Sequence, residues 1–396
     1  MLTEEKPTTP DRPLGLAILG STGSVGRQTL AVVDRHPERF RVVALAARRL
    51  SPPLQRQVAR YRPELVAISE DAPPTKFGRA TLVAGSDALA AAATRDGVDI
   101  VVAATSGHAA IVPTYRAIAA GKTIALANKE TIVCAGALIV PFAAERGVEL
   151  RPVDSEHSAI WQALRAGRAA EVRRLILTAS GGPFRSAAAE DLARVTVEQA
   201  LAHPTWSMGG KVTIDSATMM NKGLEIIEAR WLFDVPAERI DVLIHPESIV
   251  HSLVEFIDGS QLAQLGMPDM RLPIQYALSY PERWAGADDS LSLADLGALH
   301  FERPDETRFP ALRLAREAGR LGSTYPTVLS AADDVAVAAF LDRRLQFTDI
   351  PRAIEATMAR HQAASALSFE AIADADAWAR RAARETVAAL ARRRSG

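Results

Sequence analysis

The chain has 396 residues and nearly balanced charge, 46 basic against 47 acidic side chains for a formal net charge of −1, which argues against a nucleic-acid binder and its usual basic excess. A single cysteine, Cys134, excludes an intramolecular disulfide framework and a cysteine-rich zinc or iron–sulfur site. No apolar run reaches the roughly 18–20 residues that span a bilayer, and the charged, proline-rich opening is unlike a secretory signal, so the expectation is a soluble, cytoplasmic, globular protein.

After a tail over 1–13, expected to be disordered, the chain alternates strand and helix. Apolar runs of strand length stand at Leu14–Leu19, Arg41–Ala46, Leu65–Ile68, Asp99–Ala103 and Thr123–Ala127, with helix-length stretches at Ser24–Asp34, Ser86–Thr94 and His108–Ala120. Near-continuous apolar strands separated by helices predict a parallel sheet covered on both faces. A strand over Leu150–Asp154, a helix over Ser158–Ala166 and a strand over Leu175–Thr178 follow. Past Ser180 the glycine pairs Gly181-Gly182 and Gly209-Gly210 signal loops. Ser216–Phe233 reads as one helix, and Asp241–Ile244, Ile249–Ile257 and Gln261–Leu265 read as strands, the last two joined through Asp258-Gly259. Residues 281–310 read as an irregular linker. Leu312–Leu321, Val328–Leu341, Ile350–Arg360 and Phe369–Leu390 carry helical periodicity and predict a terminal bundle.

The first strand runs into Gly20-Ser21-Thr22-Gly23-Ser24-Val25-Gly26 and then a helix. Glycines permit the tight turn, and a helix N-terminus offers N–H groups to a pyrophosphate, so this loop predicts a dinucleotide site. The second strand ends in Ala47-Arg48-Arg49. Two arginines where an NAD site places a carboxylate favour NADP(H).

In this arginine-rich chain only six lysines and two asparagines occur, and both asparagines precede lysine, at Asn128-Lys129 and Asn221-Lys222. Their scarcity marks them as positions where chemistry refuses a substitute. Asp154-Ser155-Glu156 follows a strand, and two carboxylates two apart on an extended segment face one side. Asn221, Lys222 and Glu225 share a helix face at spacings of three and four. Three carboxylates without cysteine suit a hard cation such as Mg²⁺ or Mn²⁺, with Co²⁺ a further candidate. His157 is read as a packing or hydrogen-bonding residue. Ser180, His203, Ser216, Asn221 and Lys222 supply the hydroxyl, amide and ammonium donors that a phosphate monoester needs.

Taken in order, these segments resemble the 1-deoxy-D-xylulose 5-phosphate reductoisomerase family. The likeness runs through the Gly20–Gly26 loop, Ala127-Asn128-Lys129-Glu130, Asp154-Ser155-Glu156-His157, Ser180-Gly181-Gly182-Pro183-Phe184, His203-Pro204-Thr205-Trp206-Ser207-Met208-Gly209 and Asp215–Glu225. It continues in His245–Ser252 and Gly266–Arg271. The resemblance implies an N-terminal Rossmann-like NADPH domain over 14–150 and a central α/β catalytic and dimerisation domain with a mobile flap over 151–280. A C-terminal helical bundle over 311–396 would complete it. It implies a metal-dependent rearrangement of a ketose phosphate followed by hydride delivery from NADPH, in a homodimer with no nucleic-acid or membrane partner.

Residue by residue, the resemblance makes Asp154, Glu156 and Glu225 the cation ligands. Lys129 and Ser155 lie against the reacting end, and Ser180, Ser216, Asn221 and Lys222 hold the phosphate with His203 beside them. Trp206 and Met208 ride on the flap. Thr22, Gly23, Ser24, Val25, Asn128, Glu130 and Gly209 contact NADPH; Arg48 and Arg49 stand at its 2′-phosphate by the strand-end reading above, and of the two only Arg49 matches the family in charge. The chain departs from the family pattern at Arg48, Leu50 and Thr205, and at Asp333-Asp334, where Asn-Glu is usual. Two other readings stand beside this one: an enzyme resembling aspartate-semialdehyde dehydrogenase, which needs an accessible activated cysteine, and a non-catalytic NADPH sensor.

Overall fold

The computed structural model describes residues 12–71, 77–206, 208–286 and 291–395. The expected tail therefore lies outside the described residues up to position 11, as does Ser207 of the flap motif. Backbone contacts divide the chain into two compact units, one within 1–131, 141–158 and 269–288, the other within 132–140, 159–268 and 289–396.

In the first unit seven parallel strands form one sheet: β1 (Leu14–Leu19), β2 (Phe40–Ala47), β3 (Leu65–Ile68), β4 (Thr81–Ala84), β5 (Ile100–Ala103), β6 (Thr123–Leu126) and β7 (Leu150–Pro152). Their order is β4-β3-β2-β1-β5-β6-β7. Every residue of β3 and β5 is buried, as their uninterrupted apolar sequences require of strands covered on both faces. Full burial of a Leu or Ile is worth about 1.5–3 kcal/mol. Interior side chains such as Leu16, Ile18 and Leu45 therefore hold the sheet, and the loops at its ends are free to carry chemistry. The order reverses at β1, whose neighbours are β2 and β5, and that switch point opens a crevice at the carboxyl ends of the strands.

Four further elements were not expected from the sequence. Pro52–Tyr61 is a helix although it starts with two prolines, because Pro in a first turn removes only an N–H that the helix leaves unbonded, and Ser51 caps it. The short strand β4 lies at the sheet edge, half exposed, so its apolar signal is weak. The Lys129–Glu145 helix hides its period because Thr131–Gly136 are all buried. The Arg271–Ser279 helix, placed by the sequence reading in the middle domain, belongs to this unit: Ile274, Ala277 and Leu278 join its core, and Gln275 Oε1 lies 3.2 Å from His36 Nε2.

The second unit has a four-stranded mixed sheet of β8 (Val172–Ala179), β9 (Ile240–Ile244), β10 (Val250–Phe256) and β11 (Gln261–Leu265) in the order β11-β10-β8-β9. β10 and β11 turn through Asp258-Gly259 as the sequence indicates, with Gly259 at φ +86°. The single helix expected over Ser216–Phe233 is two, Gly210–Thr218 and Met220–Leu232, separated by Met219 at φ +67°. Thr218 Oγ1 donates back to Ile214 O at 3.0 Å, so the side chain competes with the backbone at the break. Helices Ala311–Leu321, Tyr325–Leu341, Asp349–Ala359 and Phe369–Ser395 pack as the expected bundle. Among the described residues no helix is long and apolar enough to cross a membrane.

Candidate active site

The glycine loop leaves β1 at the switch point. A Cβ on Gly26 would stand 2.3 Å from Gly20 O and 2.6 Å from Ser21 Cα, so only glycine lets the Ser24–Arg35 helix start this close to the loop. Gly23 and Ser24 are exposed and Thr22 and Val25 half-buried, which presents the first-turn N–H groups to an anion. At the end of β2 the two arginines differ. Arg48 Nε is 2.5 Å from Glu70 Oε1, a carboxylate just beyond β3 that the sequence reading had not placed there. Arg49 makes no ion pair among the described residues.

Asn128 is 1 % exposed and caps the Lys129–Glu145 helix, its Oδ1 accepting from Thr131 N at 2.9 Å. Its Nδ2 donates to Thr105 O at 2.8 Å, Gly107 O at 2.9 Å and Glu130 Oε2 at 2.9 Å. Glu130 Oε1 in turn accepts from Gly107 N at 3.2 Å. The amide is thus engaged within the protein and holds the segment after β5.

Lys129 Nζ lies 2.6 Å from Asp154 Oδ2. Asp154 does not sit on an extended segment as the spacing argument assumed. It precedes the Ser155–Ala163 helix, accepting from Ser158 N at 2.8 Å through its carbonyl, while Ser155 and Glu156 form the first turn. The two carboxylates still converge, with oxygens of Asp154 and Glu156 within 4.8 Å of each other. Burial opposes the Asp154 charge, yet the Lys129 ammonium and His157 hold its carboxyl well below the usual carboxylate range. His157 is fully buried with Nδ1 3.5 Å from Asp154 Oδ1, in keeping with a hydrogen-bonding role.

In the second unit an imidazole joins two hydroxyls. His203 Nε2 is 3.0 Å from Ser180 Oγ and 3.1 Å from Ser216 Oγ. Its Nδ1 accepts from Thr205 N at 3.1 Å and Trp206 N at 2.9 Å. Two N–H donors on Nδ1 assign the proton to Nε2 and leave no room for a second, and burial lowers the His203 pKa accordingly. Gly182 brings the segments together: a Cβ there would stand 2.8 Å from Ser216 O. On the Met220–Leu232 helix, Asn221 Nδ2 donates to Glu225 Oε1 at 2.5 Å and Lys222 Nζ pairs with the other oxygen, the shared face that the spacing predicts. Lys222 and Glu225 are buried. Such buried oxygen and ammonium groups suit a hard cation and an anion, with no thiolate among them.

Gly209 precedes the Gly210–Thr218 helix and is exposed, and Trp206 and Met208 are half-buried. One residue of this group was not singled out from the sequence, although it lies within the His245–Ser252 motif. His251 packs its ring 6.3 Å from that of Trp206, and burial pushes its pKa down to about 4, leaving it neutral near pH 7. Cys134 is 2 % exposed, against the accessible thiol that an aldehyde dehydrogenase needs.

Fold and side chains together define a class: a dinucleotide-binding α/β protein with paired carboxylates in one unit and a hydroxyl–imidazole–lysine group in the other. Family models for 1-deoxy-D-xylulose 5-phosphate reductoisomerase match residues 16–136, its C-terminal domain 150–233, and the DXP reductoisomerase C-terminal domain 265–382. The chain is 59 % identical over 376 residues, 94 % of its length and 98 % of the relative's, to the 1-deoxy-D-xylulose 5-phosphate reductoisomerase of Thermomicrobium roseum. It is 53 % identical to that of Chlorobaculum tepidum over 94 % and 99 % of the two chains. Among solved structures it resembles the Zymomonas mobilis reductoisomerase in complex with NADPH at 42 % identity and TM-score 0.88, over 95 % and 99 % of the two chains. It also resembles a DOX-P reductoisomerase in complex with NADPH, fosmidomycin and magnesium at 40 % identity and TM-score 0.89, over 95 % and 99 %. The chain belongs to the 1-deoxy-D-xylulose 5-phosphate reductoisomerase family.

Proposed function

We propose that this protein rearranges 1-deoxy-D-xylulose 5-phosphate and reduces the rearranged aldehyde phosphate to 2-C-methyl-D-erythritol 4-phosphate, in non-mevalonate isoprenoid precursor biosynthesis. The observation that carries the reading is family membership along 94 % of the chain, and the geometry of each unit supports it. Thr22, Gly23, Ser24 and Val25 receive the NADPH pyrophosphate on the first turn of their helix. Arg49 faces the 2′-phosphate, with Arg48 held back by Glu70. Glu130 and the backbone at Asn128 and Gly209 complete the cofactor contacts, and bound NADPH supplies the hydride.

Asp154, Glu156 and Glu225 would hold the divalent cation, which would supply Lewis-acid polarisation of the substrate carbonyl. Magnesium is the first candidate, with manganese and cobalt behind it. Lys129 keeps Asp154 ionised and offers a compact positive charge to oxygen at the reacting end, where Ser155 adds a hydroxyl. Ser180, Ser216, Asn221 and Lys222 hold the phosphate. His203, neutral with its proton on Nε2, orients the two hydroxyls without competing for the anion's charge. Trp206 and Met208 cover the substrate and exclude water before hydride transfer. The protein acts as a cytoplasmic homodimer.

The test is NADPH oxidation on 1-deoxy-D-xylulose 5-phosphate with and without Mg²⁺ or Mn²⁺, together with Glu225→Gln. Turnover is expected to require the metal, and the variant to lose turnover while folding and binding NADPH. Metal-independent turnover, or an active Glu225→Gln enzyme, would overturn the assignment.

A further inference from the structure

A second group of buried charges in the second unit has no task in that reaction. Lys211, in the first turn of the Gly210–Thr218 helix, places its Nζ 2.6 Å from Asp215 Oδ2 on the same helix and 2.9 Å from Asp333 Oδ2 on the Tyr325–Leu341 helix. Asp334 Oδ1 is 3.6 Å from that ammonium, and its other oxygen is 2.7 Å from Arg380 of the Phe369–Ser395 helix. Arg380 also holds Asp376 at 2.8 Å. Asp333 is fully buried and Asp215 nearly so. Beyond the Lys211 ammonium, Oδ1 of Asp333 and Oδ1 of Asp215 are buried without a hydrogen-bond donor among the described residues.

The charges do not balance. Arg380 is taken by Asp334 and Asp376, which leaves Lys211 facing both Asp215 and Asp333. On the flanking helices Glu198 pairs with Arg343, Lys222 with Glu225, Asp349 with Arg352 and Arg313 with Glu355, and the Met220–Leu232 helix adds the buried carboxylate Glu228. Two carboxylates buried against one ammonium cannot both keep their charge cheaply, and a proton taken up by the pair relieves the excess. Burial first, and the mutual repulsion of the two carboxylates second, push Asp215 upward; burial pushes Asp333 the same way. Asp215 is the chain neighbour of Ser216, whose Oγ lies 3.1 Å from His203 Nε2.

We propose that Asp215 and Asp333 share one proton beside Lys211 and act as positioning residues, clamping the Gly210–Thr218 helix to the Tyr325–Leu341 helix so that Ser216 meets the substrate's phosphate. The inference rests on the reading of Ser216 as a phosphate ligand. Both carboxyls are raised, so the folded protein keeps a proton that the unfolded chain has lost. The associated stability is full in acid, below the unfolded carboxylate value, and declines as pH rises through the folded value. Losing the proton places an excess charge between the two helices and loosens the one that carries Ser216, which weakens phosphate binding and leaves the reacting end untouched.

Asp333→Asn keeps the shape and removes the titration. For the wild type, KM for 1-deoxy-D-xylulose 5-phosphate is expected to rise about fivefold as pH climbs through the pair's raised folded value, above the ordinary carboxylate range, while kcat moves less than about twofold. Asp333→Asn should show a flat KM, and its melting temperature should fall less steeply over the same interval. A variant whose KM follows the wild-type curve would overturn the proposal. Parallel melting curves would overturn the shared proton, and since melting needs no substrate, that result is independent of the functional reading. Absence of turnover by the wild type would sink the functional reading and leave melting to decide the proton. If Asp333→Asn does not fold, Asp215→Asn is measured in the same way, with the same two outcomes.

Discussion

Asn128→Asp changes one atom from a donor to an acceptor and should destabilise the first unit more than its size suggests. The cap survives, since Oδ1 still accepts from Thr131 N at 2.9 Å. The donor is lost where it served Thr105 O, Gly107 O and Glu130 Oε2 at 2.8, 2.9 and 2.9 Å. Leaving a buried carbonyl unsatisfied costs about 1–3 kcal/mol, and a hydrogen bond to a charged partner is worth about 1.5–3 kcal/mol. The amide's two hydrogens serve three part-buried acceptors, so about one carbonyl bond and the bond to Glu130 are lost while a second carboxylate is brought against Glu130, a loss of about 2–5 kcal/mol against the ordinary 5–15 kcal/mol. The introduced carboxyl is pushed upward by burial and by Glu130, and protonation gives it back a donor, so the deficit should shrink as pH falls. Urea denaturation at about pH 8 and pH 5, read from the midpoint and slope, measures both effects. A variant within about 1 kcal/mol of the wild type at the higher pH would refute the reasoning.

Arg49→Ala should raise KM for NADPH about tenfold or more and leave KM for NADH unchanged, whereas Arg48→Ala should change either by less than about threefold, because an exposed pair with Glu70 already engages it; steady-state kinetics with both cofactors decides. Lys222→Ala should weaken binding of inorganic phosphate and raise KM for the ketose phosphate about a hundredfold, measured by kinetics and phosphate competition. Neutral His203 is disfavoured in acid: its folded pKa lies below the unfolded 6.5, so its contribution to stability is full above that value and is lost as pH falls through the folded one. Phosphate affinity should fall with it, and His203→Gln should flatten that acid limb.

Much of the fold could be read from the sequence where burial was uniform or periodic. β1, β3 and β11 begin and end where the apolar runs do, and the bundle helices carry stripes that only packing explains. The two scarce asparagines marked real constraints, one as a saturated buried cap and the other as a partner of Glu225. What stayed hidden depends on geometry between distant residues. The break at Met219 is held by Thr218 bonding back to its own helix, a choice that helical periodicity does not encode. Glu70 reaches Arg48 across neighbouring strands, and 22 positions of separation gave no sign of it. Asp333-Asp334 read as a helical pair away from the site, and only packing shows Lys211 reaching both from the helix of Ser216.

The close approach at Gly182 has a consequence for selectivity. Because the loop meets the Gly210–Thr218 helix main chain to main chain, the separation between the hydroxyls of Ser180 and Ser216 is fixed by peptide geometry rather than by side-chain length. In the proposed role as phosphate ligands, the pair would work as a rigid gauge for the anion. In the proposed role of Ser180 and Ser216 as phosphate ligands, even a methyl group added at Gly182, 2.8 Å from Ser216 O, would therefore push the two hydroxyls out of register.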